Sequence, residues 1–209
     1  MLTPIDNGKF FMKIREKGSD PLVIKEIFHQ NVYNVHKDDI KNTRIVIDIG
    51  ANIGAFSLYA WSLGATVFAY EPEEDNFKLL KENIRVNNAK NIHPFKVAVG
   101  NKRGEVSLSN AQGNSMVKEG SDVPMIPLSD VYKKVPYCDV LKIDVEGYET
   151  EILKANEDIL KKSKYLTMEF HRMTPEKFGE MIANISPVFN LNIVGRYNEG
   201  GGQIYGRRY

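Results

Sequence analysis

The stretch RIVIDIGANIGAF, residues 44–56, decides the fold of this chain. Residues 45–49 form a short apolar run that ends at a glycine, which predicts a strand buried on both faces. Gly50 and Gly54 then frame a tight turn, and the apolar residues that follow predict a helix. A strand, a glycine turn and a helix in this order point free backbone N–H groups at a ligand. The stretch therefore predicts a ligand site at the end of its strand.

The spacing within this stretch narrows the kind of ligand. It reads Asp48-x-Gly50-x-x-x-Gly54, and Asn52 stands where a G-x-G-x-x-G turn requires its second glycine, which argues against a dinucleotide pyrophosphate. Asp48 adds an acceptor for a ligand amine or hydroxyl. We expect the ligand to approach Gly50 so closely that any side chain there would collide with it, while the protein stays folded.

The composition is that of a globular protein with a real core. The chain has 209 residues, 42% of them hydrophobic and 26% charged, which suits one domain with a short extension. A formal net charge of +1 gives no strongly basic face, so nucleic acid is not an expected partner. Cys138 is the only cysteine, which excludes an internal disulfide and fits a reducing compartment. With no signal peptide and no apolar run near ~18 residues, we expect a cytoplasmic protein without a membrane span.

We divide the chain into an N-terminal extension, residues 1–40, and a main domain, residues 41–209. Asp6-Asn7-Gly8 predicts a hairpin turn, and Ser19-Asp20-Pro21 predicts the start of a short helix. Two interpretations of the extension stay open. It is either a structural cap on the main domain or a lid over the ligand that carries Tyr33.

Strands and helices alternate after the glycine turn. Strands are predicted at residues 65–70, 92–99, 139–144 and 165–171, and helices at residues 73–87, 150–159 and 174–185. Residues 110–121 are predicted as a loop between two short strands, either a functional flap or a mobile surface loop. Residues 189–194 and 203–207, joined by a glycine-rich turn, predict an antiparallel pair at a sheet edge.

An acid also follows the second predicted strand. Glu71 lies 23 positions after Asp48, and an acid in that place accepts hydrogen bonds from the hydroxyls of a ribose. The alternative is a surface glutamate at a strand end. The glycine turn before it favours the ribose.

Three motifs together resemble one family. The stretch from Asp48 to Gly54 resembles the first motif of the S-adenosylmethionine (SAM)-dependent methyltransferases. DVLKIDVEGYE, residues 139–149, is similar to the signature of the FkbM-type methyltransferases. Glu71-Pro72, followed by Leu80, Asn83 and Asn87, is similar to the second motif of that family. Most of residues 45–171 are covered, although Ser129 stands where the family often has an aspartate.

This resemblance implies a fold, a cofactor and an acceptor. The fold is an α/β, doubly wound, Rossmann-like class I methyltransferase sheet, mostly parallel, with an antiparallel edge hairpin. The methyl donor is SAM, and the acceptor is a hydroxyl on a sugar or small natural product. The implied cofactor-binding residues are Asp48, Gly50, Ala51, Asn52, Gly54, Glu71, Pro72, Ala98 and Asp144. Among these, Glu71 would hold the ribose, and Pro72 and Ala98 would flank the adenine.

Four residues at the ends of the fourth and fifth main strands are candidates for catalysis: Asp144, Glu146, Glu169 and His171. An alcohol needs a general base to become a good nucleophile, and His171 has the most suitable intrinsic pKa. His171 could equally be bonded to a nearby carboxylate. Asp144 could contact the amine of SAM, and Glu146 could cap the helix beside it. No spacing in this acidic cluster demands a metal, so none is predicted.

Two other functions remain as alternatives. An RNA or tRNA methyltransferase acting on base amines would carry Asn/Asp-Pro-Pro-aromatic after the fourth strand, and residues 143–146 are Ile-Asp-Val-Glu instead. A SAM-binding module without catalysis is disfavoured by the intact first motif and by Glu71. Self-association is left open.

Overall fold

The computed structural model describes residues 1–35, 44–111, 114–119, 123–154 and 157–209, and gives the backbone alone for residues 109–111 and 114–119. In chain order its strands are β1 (Leu2–Ile5), β2 (Phe10–Lys13), β3 (Ile45–Ile49), β4 (Thr66–Tyr70), β5 (Ile92–Phe95), β6 (Ala98–Gly100), β7 (Gly104–Ala111), β8 (Asn114–Glu119), β9 (Val123–Pro127), β10 (Cys138–Ile143), β11 (Ser163–His171), β12 (Phe189–Arg196) and β13 (Gly201–Arg208). The helices are α1 (Asp20–Ile24), α2 (Ala55–Ser62), α3 (Glu74–Val86), α4 (Leu128–Lys134), α5 (Glu149–Leu153), α6 (Glu157–Leu160) and α7 (Pro175–Ile185), and Lys25–Gln30 continues α1 as a π-helical segment.

Seven strands form the main sheet in the order β12-β13-β11-β10-β3-β4-β5. The five strands from β11 to β5 are parallel, and β13 is antiparallel to both β11 and β12. This confirms the predicted mostly parallel sheet with an antiparallel edge hairpin. From β3 the chain first builds the sheet towards β5, and later returns to add β10 on the other side of β3. Ligands of such sheets bind outside the carboxyl ends of the strands at this reversal, which here lies between β3 and β10.

The alternation of side chains along β3 explains why the sheet is covered on both faces. Val46 belongs to a hydrophobic cluster with the N-terminal segment, α2 and α3. Ile47 and Ile49 belong to a second cluster with α4, α5 and α7. All three residues are at most 1% exposed, so the prediction of a strand buried on both faces is confirmed.

The N-terminal hairpin forms as predicted and is held to α3 by two asparagines. The amide of Asn83 accepts a hydrogen bond from Lys13 N at 2.6 Å and donates to Lys13 O. The amide of Asn87 pairs in the same way with the backbone of Phe11. Two side chains therefore satisfy the backbone of β2 as a further strand would. The boundary near residue 40 lies outside the described residues, so the division into extension and main domain stays a prediction.

The prediction of one strand over residues 92–99 is wrong. Ile92–Phe95 pairs with β4 in the main sheet, whereas Ala98–Gly100 pairs with β9 in a second, four-stranded sheet of order β6-β9-β7-β8. A bond from Val97 N to Phe95 O turns the chain between them. The same second sheet corrects the predicted loop, because residues 114–119 form β8 against β7. The remainder of that loop, residues 112–113 and 120–121, lies outside the described residues.

Two helical predictions also need correction. The predicted helix at residues 150–159 is two helices, α5 and α6, and residues 155–156 between them lie outside the described residues. The helix α4 was not predicted at all. In the described part of the chain, no helix has both the length and the apolar character needed to cross a membrane.

Candidate functional site

A first cavity lies at the reversal of the sheet, beyond the carboxyl ends of β3, β4 and β10. It is lined by Ile49, Gly50, Asn52, Tyr70, Glu71, Pro72, Asn76, Val97, Ala98, Val99, Asp144, Val145 and Glu146. Most of the wall is apolar. Its acids lie at two places, Glu71 after β4 and Asp144 and Glu146 after β10.

The glycine turn does not expose its first N–H groups as expected. Gly50 N and Ala51 N both donate to the carbonyl of Tyr70, at 2.9 and 3.0 Å. Asn52 N donates to Glu71 Oε2 at 2.7 Å. The turn therefore ties β3 to the end of β4.

The reason for glycine at position 50 also differs from the expectation. Gly50 has a φ of +78°, and a Cβ there would lie 1.6 Å from the carbonyl oxygen of Asp144. The collision shown is with the chain itself. A side chain at Gly50 would force apart the ends of β3 and β10, so we expect such a variant to lose stability as well as ligand binding.

Two of the predicted cofactor residues line neither this cavity nor the second one described below. Gly54 precedes α2 with a φ of +89°, and a Cβ there would lie 2.6 Å from Leu80 Cδ1, so it permits α2 to pack against α3. Asp48 is fully buried and accepts a hydrogen bond from Ser57 Oγ at 2.6 Å. Gly54 and Asp48 therefore contribute to the packing around the cavities and do not line them.

Glu71 is buried at the wall of the first cavity, which excludes the alternative of a surface glutamate. Its side chain is 4% exposed and accepts hydrogen bonds from Asn52 N and from Glu73 N, at 2.7 and 2.8 Å. Burial raises the pKa of Glu71 to about 7, against the lowering effect of these two hydrogen bonds. Each carboxylate oxygen has a second lone pair, so Glu71 keeps acceptor capacity for a ligand hydroxyl.

A second cavity adjoins the first. Its lining includes residues of the N-terminal segment, of α2 and of the ends of β10 and β11: Ser19, Leu22, Val23, Glu26, Ile27, Val32, Tyr33, Gly50, Ala51, Asn52, Ala55, Phe56, Lys142, Asp144, Glu146, Glu169 and His171. Gly50, Asn52, Asp144 and Glu146 line both cavities. The four predicted catalytic residues all line the second cavity.

Lys142 lies at the base of this second cavity, and sequence reasoning did not single it out. Its Nζ is 3.1 Å from Asp48 Oδ1 and 3.7 Å from Asp144 Oδ2, and it donates to Gly50 O at 2.7 Å. Burial opposes its charge, but the two carboxylates outweigh it and raise the pKa of Lys142. A lysine in the middle of an apolar strand was the available signal, since it requires buried counter-charges.

Tyr33 connects the N-terminal segment to the same acid. Its hydroxyl donates to Asp144 Oδ2 at 2.8 Å, and its carbonyl accepts a hydrogen bond from Thr167 Oγ1 at 2.8 Å. The ring packs edge-on against Phe56. Tyr33 is therefore a buried part of the cavity wall.

His171 is surrounded by carboxylates. Its Nδ1 donates to Glu149 Oε1 at 2.8 Å, and its Nε2 lies 3.0 Å from Glu146 Oε2 and 3.8 Å from Glu169 Oε1. Burial disfavours the charged ring, but the hydrogen bonds to Glu146 and Glu149 outweigh it and raise the pKa of His171 to about 11. With these partners the imidazole is protonated at neutral pH and has no free lone pair. This geometry is the second of the two alternatives, a histidine bonded to nearby carboxylates.

Glu169 has the loosest attachment of the acids in this cluster. Its side chain is 36% exposed, and among the described residues its nearest ionic partner is His171 at 3.8 Å. Burial and the neighbouring Asp144 raise its pKa to about 7. The same two causes raise the pKa of Glu26, which reaches the cavity from the N-terminal side. The second cavity therefore crowds acids together.

Comparison with known proteins identifies a family and relatives of this chain. The model of the family described as "Methyltransferase FkbM domain" matches residues 48–192. A hexuronic acid methyltransferase, AglP, of Haloferax volcanii is 26% identical over 154 residues, which are 68% of this chain and 62% of that protein. The 31-O-demethyl-FK506 methyltransferase FkbM of Streptomyces tacrolimicus is 37% identical over 68 residues, which are 32% of this chain and 26% of that protein. The chain thus spans less than two thirds of the length of both relatives.

A solved structure shares the fold of most of this chain. An rRNA methylase from Streptococcus thermophilus superposes with a TM-score of 0.55 at 12% identity, over 82% of this chain and 93% of that one. The sheet order and the crevice at its reversal are those of the class I methyltransferase fold. The family match then places the chain further: it belongs to the FkbM methyltransferase domain family.

Proposed function

We propose that this methyltransferase transfers the methyl group of SAM to a hydroxyl of a sugar or a small natural product. The observation that carries the proposal is the pair of adjoining cavities. One has the buried acceptor Glu71 on a largely apolar wall, the other has a cluster of acids, and they meet at Asp144 and Glu146. Relatives named for hexuronic acid and for 31-O-demethyl-FK506 support an acceptor of this kind.

The first cavity fits SAM. Glu71 is a buried carboxylate with spare acceptor capacity, as hydroxyls of a ribose require. Pro72 and residues 97–99 offer an apolar slot for a flat base. The methionine end would then reach Gly50 and Asn52, where the two cavities join. When bound, SAM supplies an electrophilic methyl group at that junction.

The second cavity suits a polyhydroxylated ring. Leu22, Val23 and Phe56 contribute apolar surface to its wall, and the acids after β10 and on β11 contribute hydrogen-bond acceptors. A sugar has both an apolar face and an edge of hydroxyl donors. The crowded carboxylates also disfavour binding of the phosphate backbone of RNA. The likeness in fold to an rRNA methylase does not by itself imply an RNA acceptor.

Glu169 is the group we assign as the base. Asp144 is held by Tyr33 and Lys142, and Glu146 lies within hydrogen-bond distance of His171. Glu169 has no such short contact among the described residues, so its oxygens are available to the proton of an acceptor hydroxyl. A positioned base contributes typically 10²–10⁴-fold to rate, and alignment of oxygen, methyl and sulfur supplies much of the rest.

Transfer of labelled methyl from SAM across a panel of sugars, glycosides and small RNAs tests the proposal. We expect label on a hydroxyl of a sugar or glycoside, and loss of that label in Glu169→Gln. Label on RNA alone would show that the acceptor class is wrong. SAM binding by calorimetry without transfer to any acceptor would favour a binding module.

A further inference from the structure

Three side chains at the junction of the two cavities converge as metal ligands do. Asp144 and Glu146 follow β10, and His171 ends β11. One ligand atom from each lies within 4.8 Å of the others. Two carboxylate oxygens and one imidazole nitrogen suit a divalent cation such as Mn²⁺, because carboxylates favour Mg²⁺ and Mn²⁺ and imidazole favours the later transition metals.

The spacing of two of these atoms fits adjacent ligands on one ion. His171 Nε2 and Glu146 Oε2 are 3.0 Å apart. Two ligands bound at about 2.1 Å and at right angles lie about 3.0 Å from each other. His171 Nε2 and Glu146 Oε2 could therefore both bind one ion without moving from their present positions.

Asp144 provides an independent observation. Its Oδ2 is fixed by the hydroxyl of Tyr33 at 2.8 Å. Its Oδ1 is buried and has no hydrogen-bond partner among the described residues. A buried carboxylate oxygen without a partner is costly unless something positive binds it. One oxygen of Asp144 is thus anchored, and the other has no hydrogen-bond partner among the described residues.

Glu149 fixes the orientation of the His171 ring. It is fully buried, and its Oε1 accepts hydrogen bonds from His171 Nδ1 and from Gly147 N. A histidine that binds a metal through one nitrogen almost always donates its other N–H to a carboxylate or carbonyl. Glu149 fills that role and directs Nε2 towards Glu146.

We propose that Asp144, Glu146 and His171 bind one divalent cation at the junction of the two cavities. Its chemical role rests on the proposed O-methyl transfer, since open coordination positions would hold the hydroxyl of the acceptor. Binding releases the Nε2 proton of His171 to solvent. A hydroxyl held there would be more acidic, and Glu169 would take its proton as the O–C bond forms and the S–C bond of SAM breaks, which would leave S-adenosylhomocysteine.

Calorimetric titration of chelator-treated protein with Mn²⁺ tests the site. We expect one ion per chain, at least tenfold weaker binding in Glu146→Gln and in His171→Gln, and unchanged binding in the control Glu157→Gln/Asp158→Asn. The control removes two exposed acids of α6 that pair only with Lys161 among the described residues. Absence of binding up to about 1 mM Mn²⁺, the weak end for protein sites of hard cations, would overturn the proposal. So would equal binding in all variants.

A measurement on the unaltered chain keeps the test independent of how the variants fold. Mn²⁺ broadens nearby proton resonances, so the ring signals of His171 should broaden at lower Mn²⁺ than those of His93. His93 lies on β5, three strands away from β10 across the sheet. Equal broadening of both histidines would contradict the site.

A SAM titration of the same samples separates this proposal from the proposed function. SAM binding and methyl transfer that persist with no Mn²⁺ site overturn the metal alone. A Mn²⁺ site without SAM binding overturns the proposed function and leaves the metal. Asp144→Asn distinguishes the two roles open to that residue. As a metal ligand it should lose Mn²⁺ and keep SAM, whereas loss of SAM measured without Mn²⁺ would instead assign Asp144 to the amine of the cofactor.

Discussion

The two cavities share four lining residues but are built in opposite ways. The first is made by the ends of adjacent strands and by turns close in sequence, and its acids stand apart on the wall. The second is lined by acids of three separate segments, and Lys142 and His171 pair with those at the ends of β10 and β11. The first cavity suits recognition of an uncharged, largely apolar ligand surface. The second cavity has carboxylates whose negative charge is not balanced until a ligand or an ion binds.

The two cavities also differ in how far apart in the sequence their lining residues lie. Most of the lining of the first cavity comes from residues 49–52, 70–76 and 97–99, and residues 144–146 complete it. The second requires Tyr33 to meet Asp144, 111 positions later. If the first cavity holds the cofactor and the second the acceptor, as proposed, changes in the N-terminal segment and at the end of β11 can alter the acceptor site alone, because those residues line only the second of the two cavities.

The largest effect we predict joins the two cavities. Gly50→Ala should lower stability by about 3 kcal/mol or more and abolish SAM binding, because its Cβ would meet the carbonyl of Asp144 at 1.6 Å and its φ is positive. Denaturant unfolding and calorimetry measure both losses. Gly64→Ala is the matched control, since Gly64 also has a positive φ but open space at its Cβ. If the two variants lose the same stability, the contact with Asp144 does not matter.

The next effect should be confined to the second cavity. Glu169→Gln should lower kcat by about 10²–10⁴-fold, as expected for loss of a general base, and leave the Kd for SAM within a few-fold. Steady-state kinetics with a saturating acceptor and calorimetry with SAM give the two values. Glu157→Gln serves as a surface control. A kcat that stays within threefold of the unaltered enzyme would remove Glu169 from the mechanism.

A change in the first cavity should show the reverse pattern. Glu71→Gln should weaken SAM by about 1–3 kcal/mol, because an amide replaces a charged acceptor, while kcat at saturating SAM changes little. Calorimetry gives the Kd. An unchanged Kd would mean that Glu71 does not bind the ribose.

The pKa of Glu71 adds a dependence on pH. Its ordinary value of 4.5 in the unfolded chain rises to about 7 on folding, so the folded state binds the proton more tightly. Stability from this group is therefore fully present below pH 4.5 and is lost as pH rises towards 7, by up to about 3 kcal/mol. Glu71→Gln should be free of that loss. Denaturant unfolding between pH 5 and 8, compared for the two proteins, measures it, and parallel curves would contradict the assignment.

The sequence predicted the fold where patterns are local. The run at residues 45–49 predicted its strand, and the glycine-rich turn before β13 predicted the edge pair, because each rests on neighbouring residues. It failed at residues 92–99, because the partner of Ala98 is Met125, in another sheet. The sequence of residues 92–99 gives no sign of which sheet each half will join.

The site divides in the same manner. The placement of Glu71 at the first cavity followed from its position after a strand, and the grouping of Glu169 and His171 followed from their alternation on β11. The true constraint on Gly50 is a carbonyl 94 positions later, and the charge of Lys142 depends on acids of two strands. Such contacts exist only once the strands are assembled.

The smallest predicted effect tests whether the N-terminal segment belongs to the second cavity or only covers it. Tyr33→Phe removes the hydroxyl that fixes Asp144 Oδ2 and keeps the ring against Phe56. One hydrogen bond to a carboxylate is worth about 1.5–3 kcal/mol at most, and Lys142, 3.7 Å away, retains part of the hold on Asp144. We therefore expect kcat to fall about three- to tenfold, with the Kd for SAM unchanged. The exposed Tyr137→Phe is the control. A change in SAM binding without a change in kcat would assign Asp144 to the first cavity. No change in either value would mean that the N-terminal segment only covers the second cavity. A segment that orients Asp144 must affect turnover when its hydrogen bond to Asp144 is removed.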